Sequence, residues 1–194
     1  MMVRPTTLFW CMVLIGVLPF FPRLGAKWAP PDEAFVAWSR RVILIRLLEL
    51  ATVLGYVAKM YLWPWDFTLS GSPQTAAAAA RALAVTGLLV TGWSKIILRS
   101  NFSTTLGIKK DHQLITAGPY VRVRHPLYTG ILLVFLGGAL VFNSGAVLVL
   151  LAAPFTLFFY WQSAVEEKLL QDHFGEAYRR YRPRTGRFLP RLMN

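Results

Sequence analysis

Residues 118–130 read Gly-Pro-Tyr-Val-Arg-Val-Arg-His-Pro-Leu-Tyr-Thr-Gly and lie between long apolar runs. The stretch gathers two arginines, a histidine, two tyrosines and two prolines into a turn-rich segment. Polar and aromatic groups at the mouth of a membrane bundle are costly unless they bind something. We therefore expect this segment to carry the function, and the apolar runs around it to form a helical bundle.

Composition favours an integral membrane protein. Hydrophobic residues make up 55% of the 194 residues, and the mean hydropathy is +0.46. The chain contains five apolar runs that are candidate spans. These are Thr7–Phe21, Val42–Trp63, Ala76–Leu98, Leu127–Phe142 and Ala146–Trp161. The sequence thus predicts an all-α integral membrane protein of about five transmembrane helices, whose last two spans form a hairpin around Asn143-Ser144-Gly145.

Charge placement predicts the orientation of these spans. The net charge is +12, and the segments Pro22–Arg41, Arg99–Pro126 and Gln162–Asn194 are each net basic. The connection Pro64–Thr75 carries a single charge, that of Asp66. Five spans put the basic segments on one side, which the positive-inside rule makes cytoplasmic. Membrane lipid explains this charge without a nucleic acid.

We expect residues 1–194 to form one domain, with three spans in 1–98 and the motif, hairpin and C-terminal helix in 99–194.

The C-terminal third of the sequence has helical periodicity. Val165–Tyr181 predicts an amphipathic helix that continues past the last span. Glu166 and Glu167 project onto its apolar side, where a carboxylate needs donors or a cation.

Two interpretations of this acid pair stay open. The acids could pair with Arg122, Arg124 or His125 only to hold the fold, or one of them could bind a polar ligand. A metal site is not expected, because His112 and His173 lack zinc-type spacing and Cys11 is the single cysteine.

The order of motifs resembles that of the isoprenylcysteine carboxyl methyltransferase family, which belongs to a wider group with membrane phospholipid methyltransferases. The resemblance rests on Tyr120, on Arg124-His125-Pro126-x-Tyr128, and on Glu166-Glu167 one helical hairpin later. A lead-in, His112-Gln113-Leu114-Ile115-Thr116, precedes the motif, and Phe174-Gly175-x-x-Tyr178 follows the acids.

The resemblance implies a methyltransferase that uses S-adenosylmethionine and faces the cytosol. It assigns the cofactor's adenosine and its surroundings to the lead-in and the motif, and the cofactor's amino end to Glu167. The cofactor-binding set is therefore His112, Gln113, Leu114, Ile115, Gly118, Tyr120, His125, Pro126, Leu127, Tyr128, Glu166 and Glu167. No G-x-G-x-x-G pattern follows a strand, which excludes a soluble Rossmann-type methyltransferase.

The expected acceptor is a lipophilic small molecule or a lipidated carboxylate that arrives sideways from the bilayer. Arg99, Asn101 and Arg124 are candidates for positioning it. Gly130, Gly137 and Gly138 could leave a groove for its tail. Where the eukaryotic carboxyl methyltransferases would have an arginine one turn before the second acid, this chain has residues 160–163, Tyr-Trp-Gln-Ser.

Three other functions stay open at this point. One is a phospholipid N-methyltransferase of the same wider group. Another is a sterol or isoprenoid reductase with an NADPH cofactor, a class with a similar Arg-His-Pro and acid-pair pattern but longer chains. The last is a non-catalytic membrane scaffold in which the motif is a structural polar cluster.

Overall fold

The computed structural model describes residues 34–35, 74–101, 107–108, 112–141, 145, 149 and 152–191. Its α-helices are α1 (Gln74–Leu98), α2 (Pro126–Val141), α3 (Ala153–Phe174) and α4 (Glu176–Tyr181). Short 3-10 turns cover Arg99–Asn101, Gly118–Val121 and Arg182–Arg184. Strands β1 (Ala34–Phe35) and β2 (Gly107–Ile108) pair antiparallel, with Ala34 opposite Ile108. The named elements of the described part are therefore helices, apart from one strand pair that is too short to leave a pattern in the sequence.

The third predicted span corresponds to α1. Within it, Ala78–Leu98 is long and apolar enough to cross a membrane, whereas the apolar part of α2, Pro126–Leu140, is shorter than a full span. Side chains such as Leu89 and Ile96 are exposed on α1, which suits hydrocarbon surroundings. The first two predicted spans lie outside the described residues, so the number of five stays a prediction.

Helices α1 and α2 run antiparallel and approach closely through small residues. A Cβ added at Gly130 would collide with the hydroxyl of Thr91 and lie 2.7 Å from the carbonyl oxygen of Gly87. Near the other end of α2, a Cβ at Gly137 would lie 2.5 Å from the backbone nitrogen of Ala84. Small residues allow such backbone contact between membrane helices. The groove expected at Gly130 and Gly137 is therefore wrong, because α1 fills it.

Helices α2 and α3 form the predicted hairpin. Phe135 of α2 meets Phe155 of α3 with ring centroids 5.1 Å apart, and Tyr128 meets Phe159 at 4.5 Å. The earlier residue of α3, Phe155, meets the later residue of α2, Phe135, and the later residue of α3 meets the earlier one of α2. The two helices are therefore antiparallel. The predicted turn falls mostly outside the described residues, although Gly145 itself is helical.

The amphipathic segment is two helices rather than one. Helix α3 ends at Phe174, and Gly175 has a φ of +50°, a left-handed conformation that glycine adopts without a Cβ clash. Helix α4 begins at Glu176 and turns the chain back toward the loop before α2. The predicted sidedness largely holds, since Glu167 and Tyr178 are buried, but Ala177 is exposed. The prediction of one continuous helix over Val165–Tyr181 is wrong at Gly175.

Candidate functional site

The carboxylate of Glu167 is the centre of a charged cluster. Its side chain is only 6% exposed and lies on the inner face of α3. Arg187 donates from Nε to Oε1 and from Nη2 to Oε2, each at 3.0 Å. Arg124 donates from Nε to Oε1 at 2.9 Å, and the Nε of Arg182 lies 3.8 Å from Oε2. Both carboxylate oxygens of Glu167 are therefore already bound by guanidinium groups.

Glu166 lies in a second, less crowded part of the cluster. Its Oε1 accepts hydrogen bonds from the Tyr128 hydroxyl at 2.5 Å and from Nε2 of Gln162 at 3.1 Å. Its Oε2 lies 3.3 Å from Nδ1 of His125. The side chain of Glu166 is 29% exposed. Of the two acids, Glu166 has the more exposed side chain.

Aromatic rings form a stack beside these acids. The His125 ring lies parallel to the Tyr128 ring with centroids 5.5 Å apart, and Tyr128 lies parallel to Phe159 at 4.5 Å. All of these side chains are buried. The faces of aromatic rings attract cations, so the stack gives the acid pair an apolar neighbour that tolerates positive charge.

Residues 185–188, here called the C-terminal strap, hold the motif in place. Gly186 accepts a hydrogen bond from the backbone N–H of Arg124 at 2.8 Å and donates its own to Arg122 at 3.0 Å. The N–H of His125 donates to the carbonyl oxygen of Arg187 at 3.0 Å. Because the strap pairs with the motif strand-fashion, Arg124, His125 and Arg187 are positioned by one backbone ladder.

The Arg124 guanidinium also anchors the start of the strap. Its Nη1 donates to the carbonyl oxygens of Arg182 (3.0 Å) and Thr185. Further along, Thr129 of α2 donates from its hydroxyl to the carbonyl oxygen of Phe188 at 2.7 Å. The Arg124 guanidinium thus stabilises the start of the strap in addition to binding Glu167.

The electrostatics favour charged forms of both acids. Burial would raise the pKa of Glu167, but the nearby His125 and the hydrogen bonds from Arg187 and Arg124 outweigh it and hold that pKa well below its usual range. Burial likewise opposes the charged form of Glu166, and hydrogen bonds with His125 and Tyr128 lower its pKa overall.

The same contacts act on the histidine in the opposite direction. Burial would lower the pKa of His125, but its contacts with the two acids raise that pKa above the usual value of 6.5. His125 Nε2 lies 3.5 Å from Oε1 of Glu167, which is close enough for attraction. That nitrogen makes no hydrogen bond of good geometry among the described residues.

The predicted lead-in is held at its start by contacts with the end of α1 and the end of α3. The side-chain oxygen of Asn101 accepts a hydrogen bond from the backbone N–H of Gln113 at 2.9 Å. The His112 ring lies 6.1 Å from the Phe174 ring at the end of α3, about 10 Å along the helix from Glu167. Leu114 and Ile115 are half-buried. The lead-in therefore borders the C-terminal end of α3.

The motif joins this lead-in to α2. Gly118 begins a 3-10 turn and packs against Ile97. Tyr120 is buried, and its carbonyl oxygen accepts a hydrogen bond from the Tyr181 hydroxyl at 2.7 Å. Burial, followed by the nearby charge of Glu166, raises the pKa of Tyr120. Pro126 and Leu127 are buried in the first turn of α2.

The structure brings together Arg124, His125, Tyr128 and the acid pair, as the sequence predicted. Arg99, which follows α1 with a φ of 47°, and Arg122 are exposed, and neither is among the ion-pair partners of the two acids in the described part of the chain. Several residues of the cluster were not predicted from the sequence, namely Phe159, Gln162, Arg182, Thr185, Arg187 and Phe188. Gln162 lies four residues before Glu166, a spacing that could have identified it. Among the described residues, no group of three or more His, Cys, Asp or Glu could hold a metal ion.

A family model described as "Phospholipid methyltransferase" matches residues 75–177, more than half of the chain. The chain belongs to the phospholipid methyltransferase family. The matched range contains the lead-in, the motif and both acids, and it ends before the strap. The predicted resemblance to this group is therefore confirmed.

Relatives within the group have different names. The cobalt-zinc-cadmium resistance protein CzcN of Cupriavidus metallidurans is 39% identical over 84 residues, which are 43% of this chain and 38% of that protein. The protein-S-isoprenylcysteine O-methyltransferase of Schizosaccharomyces pombe is 33% identical over 81 residues, 42% of this chain and 34% of that protein. The matched part thus spans about a third of the length of these relatives.

A solved structure shares the fold over nearly the whole chain. The eukaryotic intramembrane Ras methyltransferase, an isoprenylcysteine carboxyl methyltransferase, superposes with a TM-score of 0.56 at 17% identity. The match covers 95% of this chain and 62% of that protein. At this identity the likeness establishes the fold alone.

Proposed function

We propose that this protein is a membrane methyltransferase that transfers a methyl group from S-adenosylmethionine to a lipid-like acceptor, as an isoprenylcysteine carboxyl methyltransferase does. The observation that carries the proposal is the meeting of His125 and Tyr128 with the acid pair, inside a chain of this family. Arg124 and Arg187 bind Glu167, whereas Glu166 faces the ring of His125 and no guanidinium group among the described residues.

The chemistry of the cluster fits S-adenosylmethionine. The cofactor carries a sulfonium, an ammonium and a carboxylate, and the site offers aromatic rings and the carboxylate of Glu166, which no guanidinium group binds among the described residues. The buried hydroxyl of Tyr178 and Nε2 of His125 have no hydrogen-bond partner among the described residues. These are polar atoms that a ligand could satisfy.

We assign the cofactor's ammonium to Glu166. The resemblance gave this role to Glu167, but Arg124 and Arg187 bind both oxygens of Glu167. An ammonium at Glu167 would compete with Arg124, Arg187 and Arg182 for one carboxylate. Among the described residues, the neighbour of Oε2 of Glu166 is instead the His125 ring at 3.3 Å. The lead-in, with His112 and Leu114, would border the adenosine beside the end of α3.

S-adenosylmethionine supplies an electrophilic methyl carbon that an acceptor atom attacks in line as the bond from carbon to sulfur breaks. A carboxylate acceptor is nucleophilic at neutral pH without a base, so the residues of this chain need to orient the reactants and exclude water. The stack of His125, Tyr128 and Phe159 would exclude water. Arg99 and Asn101 remain candidates for holding the acceptor's polar end.

The match to the phospholipid methyltransferase model favours a second acceptor, the amine of a phospholipid headgroup. An amine must lose a proton before or during methylation, and in this site His125 is the titratable group beside the acids. The two acceptors therefore differ in whether the reaction requires a base.

The site would face the cytoplasm of a multi-pass protein. The supporting observation is the charge of the three net-basic segments that flank the predicted spans. Cysteine labelling at Ser72 and Ser103 in intact cells tests this orientation. Labelling of the two positions from the same side would contradict it.

Calorimetry on the detergent-solubilised full chain tests the function. We expect S-adenosylmethionine to bind and NADPH not to bind, followed by transfer of a labelled methyl group to a farnesylated cysteine analogue. NADPH binding would instead support the reductase, and binding of neither cofactor would support a scaffold. Transfer to phosphatidylethanolamine but not to the farnesylated acid would identify the amine acceptor.

A further inference from the structure

Four arginines line one cleft on the C-terminal side of the molecule. The cleft has a volume of about 520 Å³. It is bounded by Arg124, Gln171, Arg179, Arg182, Pro183, Thr185, Gly186 and Arg191, with no acidic residue among them. Its size falls in the range of small-molecule sites.

The fold brings these arginines together from separate parts of the chain. Arg124 precedes α2, Arg179 lies on α4, Arg182 begins the 3-10 turn after α4, and Arg191 follows the strap. Arg191 donates from Nη1 to the carbonyl oxygen of Pro183 at 2.7 Å, which holds its guanidinium at the cleft. Guanidinium groups that lie close together repel one another. An anion bound between them is stabilised because it offsets that repulsion.

The carboxylates near the cleft leave much of this charge uncompensated. Glu167 is shared among Arg124, Arg187 and, at 3.8 Å, Arg182. Arg179 meets Glu176 only at 4.0 Å, where both side chains are more than 60% exposed. Arg191 forms no ion pair with any residue that the structure describes. Arg179 and Arg191 are therefore available to a ligand.

We propose that this arginine cleft binds a phosphate group, carried by an anionic phospholipid headgroup or by free phosphate. The guanidinium fork matches phosphate oxygens in pairs, which a single ammonium cannot do. Gln171 and Thr185 add polar atoms to the same lining. The cleft is distinct from the assigned cofactor site, because no residue of the cofactor-binding set lines it and its charge repels a sulfonium.

The test measures binding of dioctanoyl phosphatidic acid and of inorganic phosphate to the full chain in uncharged detergent. Dioctanoylglycerol, which lacks the phosphate, is the ligand control. The variants are Arg179→Gln and Arg191→Gln, and the matched control is Arg180→Gln, because Arg180 is exposed on the same helix but does not line the cleft. Unchanged thermal unfolding establishes that each variant is folded.

We expect saturable binding of phosphatidic acid, a dissociation constant about tenfold higher in each cleft variant, and wild-type binding by Arg180→Gln. Phosphate bound as tightly as phosphatidic acid, with the same sensitivity to the variants, assigns the cleft to free phosphate. Much tighter binding of the lipid assigns it to a headgroup. Binding of neither ligand, equal binding of dioctanoylglycerol, or an equal loss in Arg180→Gln would overturn the proposal.

Discussion

Arg187 donates two parallel hydrogen bonds, each of 3.0 Å, to the two carboxylate oxygens of Glu167, across twenty residues of sequence. The Arg187 guanidinium also lies 5.1 Å from the centroid of the Tyr160 ring, on the same helix as Glu167. One strap residue thus binds both a ring and an acid of α3. It brings a guanidinium beside residues 160–163, where the eukaryotic enzymes were expected to have an arginine.

This geometry predicts that Arg187→Lys destabilises the protein while keeping its charge. A lysine cannot donate to both oxygens from fixed positions, so we expect the free energy of unfolding to fall by about 1–2 kcal/mol. Thermal unfolding followed by tryptophan fluorescence measures the change. Arg184→Lys is the control, since Arg184 is exposed. Equal unfolding temperatures for the two variants would show that the paired geometry contributes nothing.

The acid pair gives the sharpest test of the cofactor assignment. We expect Glu166→Gln to raise the dissociation constant for S-adenosylmethionine about tenfold or more, the size of one charge-assisted hydrogen bond. Glu167→Gln should mainly lower the unfolding temperature, because it leaves Arg124 and Arg187 without a shared anion. Calorimetry on folded protein separates the effects. If Glu167→Gln weakened S-adenosylmethionine binding more than Glu166→Gln did, Glu167 rather than Glu166 would be assigned to the cofactor's ammonium.

The close approach of α1 and α2 predicts opposite effects at two glycines. Gly130→Ala should cost about 1–3 kcal/mol, since the new Cβ would overlap Thr91 and the Gly87 carbonyl oxygen. Gly92→Ala should be neutral or stabilising, because its Cβ would meet nothing within 4 Å and alanine favours helix. Unfolding temperatures provide the measurement. Similar shifts in both variants would argue against tight packing of α1 on α2.

The pKa of His125 predicts a loss of stability at alkaline pH. Its folded-state pKa lies above the usual 6.5, so the stabilisation is fully present below pH 6.5 and is lost as the pH rises through the folded value. The acids do not titrate in this window, because their pKa values are lowered. Unfolding temperatures measured between about pH 6 and 9 should fall in the wild type and stay flatter in His125→Gln. Parallel curves would contradict the prediction.

The sequence predicted the elements that depend on local pattern. The Arg-His-Pro motif and the acid pair meet as expected, because a helical hairpin of known length brings them side by side. The inward direction of Glu167 followed from helical periodicity alone. These predictions depend only on helical periodicity along the chain and on one reversal of direction between α2 and α3.

The parts that the sequence did not predict depend on the path of the chain after α3. Gly175 ends α3, α4 reverses the chain, and the strap then returns Arg187 to Glu167. No periodicity relates a residue of an irregular tail to an acid on a preceding helix. The groove expected at Gly130 failed for a related reason, because small residues serve equally to leave space or to admit a neighbouring helix.

The last prediction concerns how the acceptor reaches the site, and it rests on the proposed function. With α1 filling the glycine face of α2, the tail of the acceptor has to lie elsewhere, and α3 exposes Leu157 and Tyr160 on the side that Arg187 covers. A tail buried there contributes about 0.8 kcal/mol per methylene. Shortening the acceptor by about four carbons should therefore raise its Michaelis constant by roughly two orders of magnitude, where that constant follows binding.

Leu157→Ala should weaken this dependence on tail length, whereas Leu89→Ala, an equally exposed position on α1, should not. Initial rates with a series of acceptors that differ only in tail length provide the measurement. If water-soluble acceptors were methylated as efficiently as long-chain ones, access from the bilayer would be excluded. If the dependence of the Michaelis constant on tail length changed equally in both variants, the tail would not bind at Leu157 on α3.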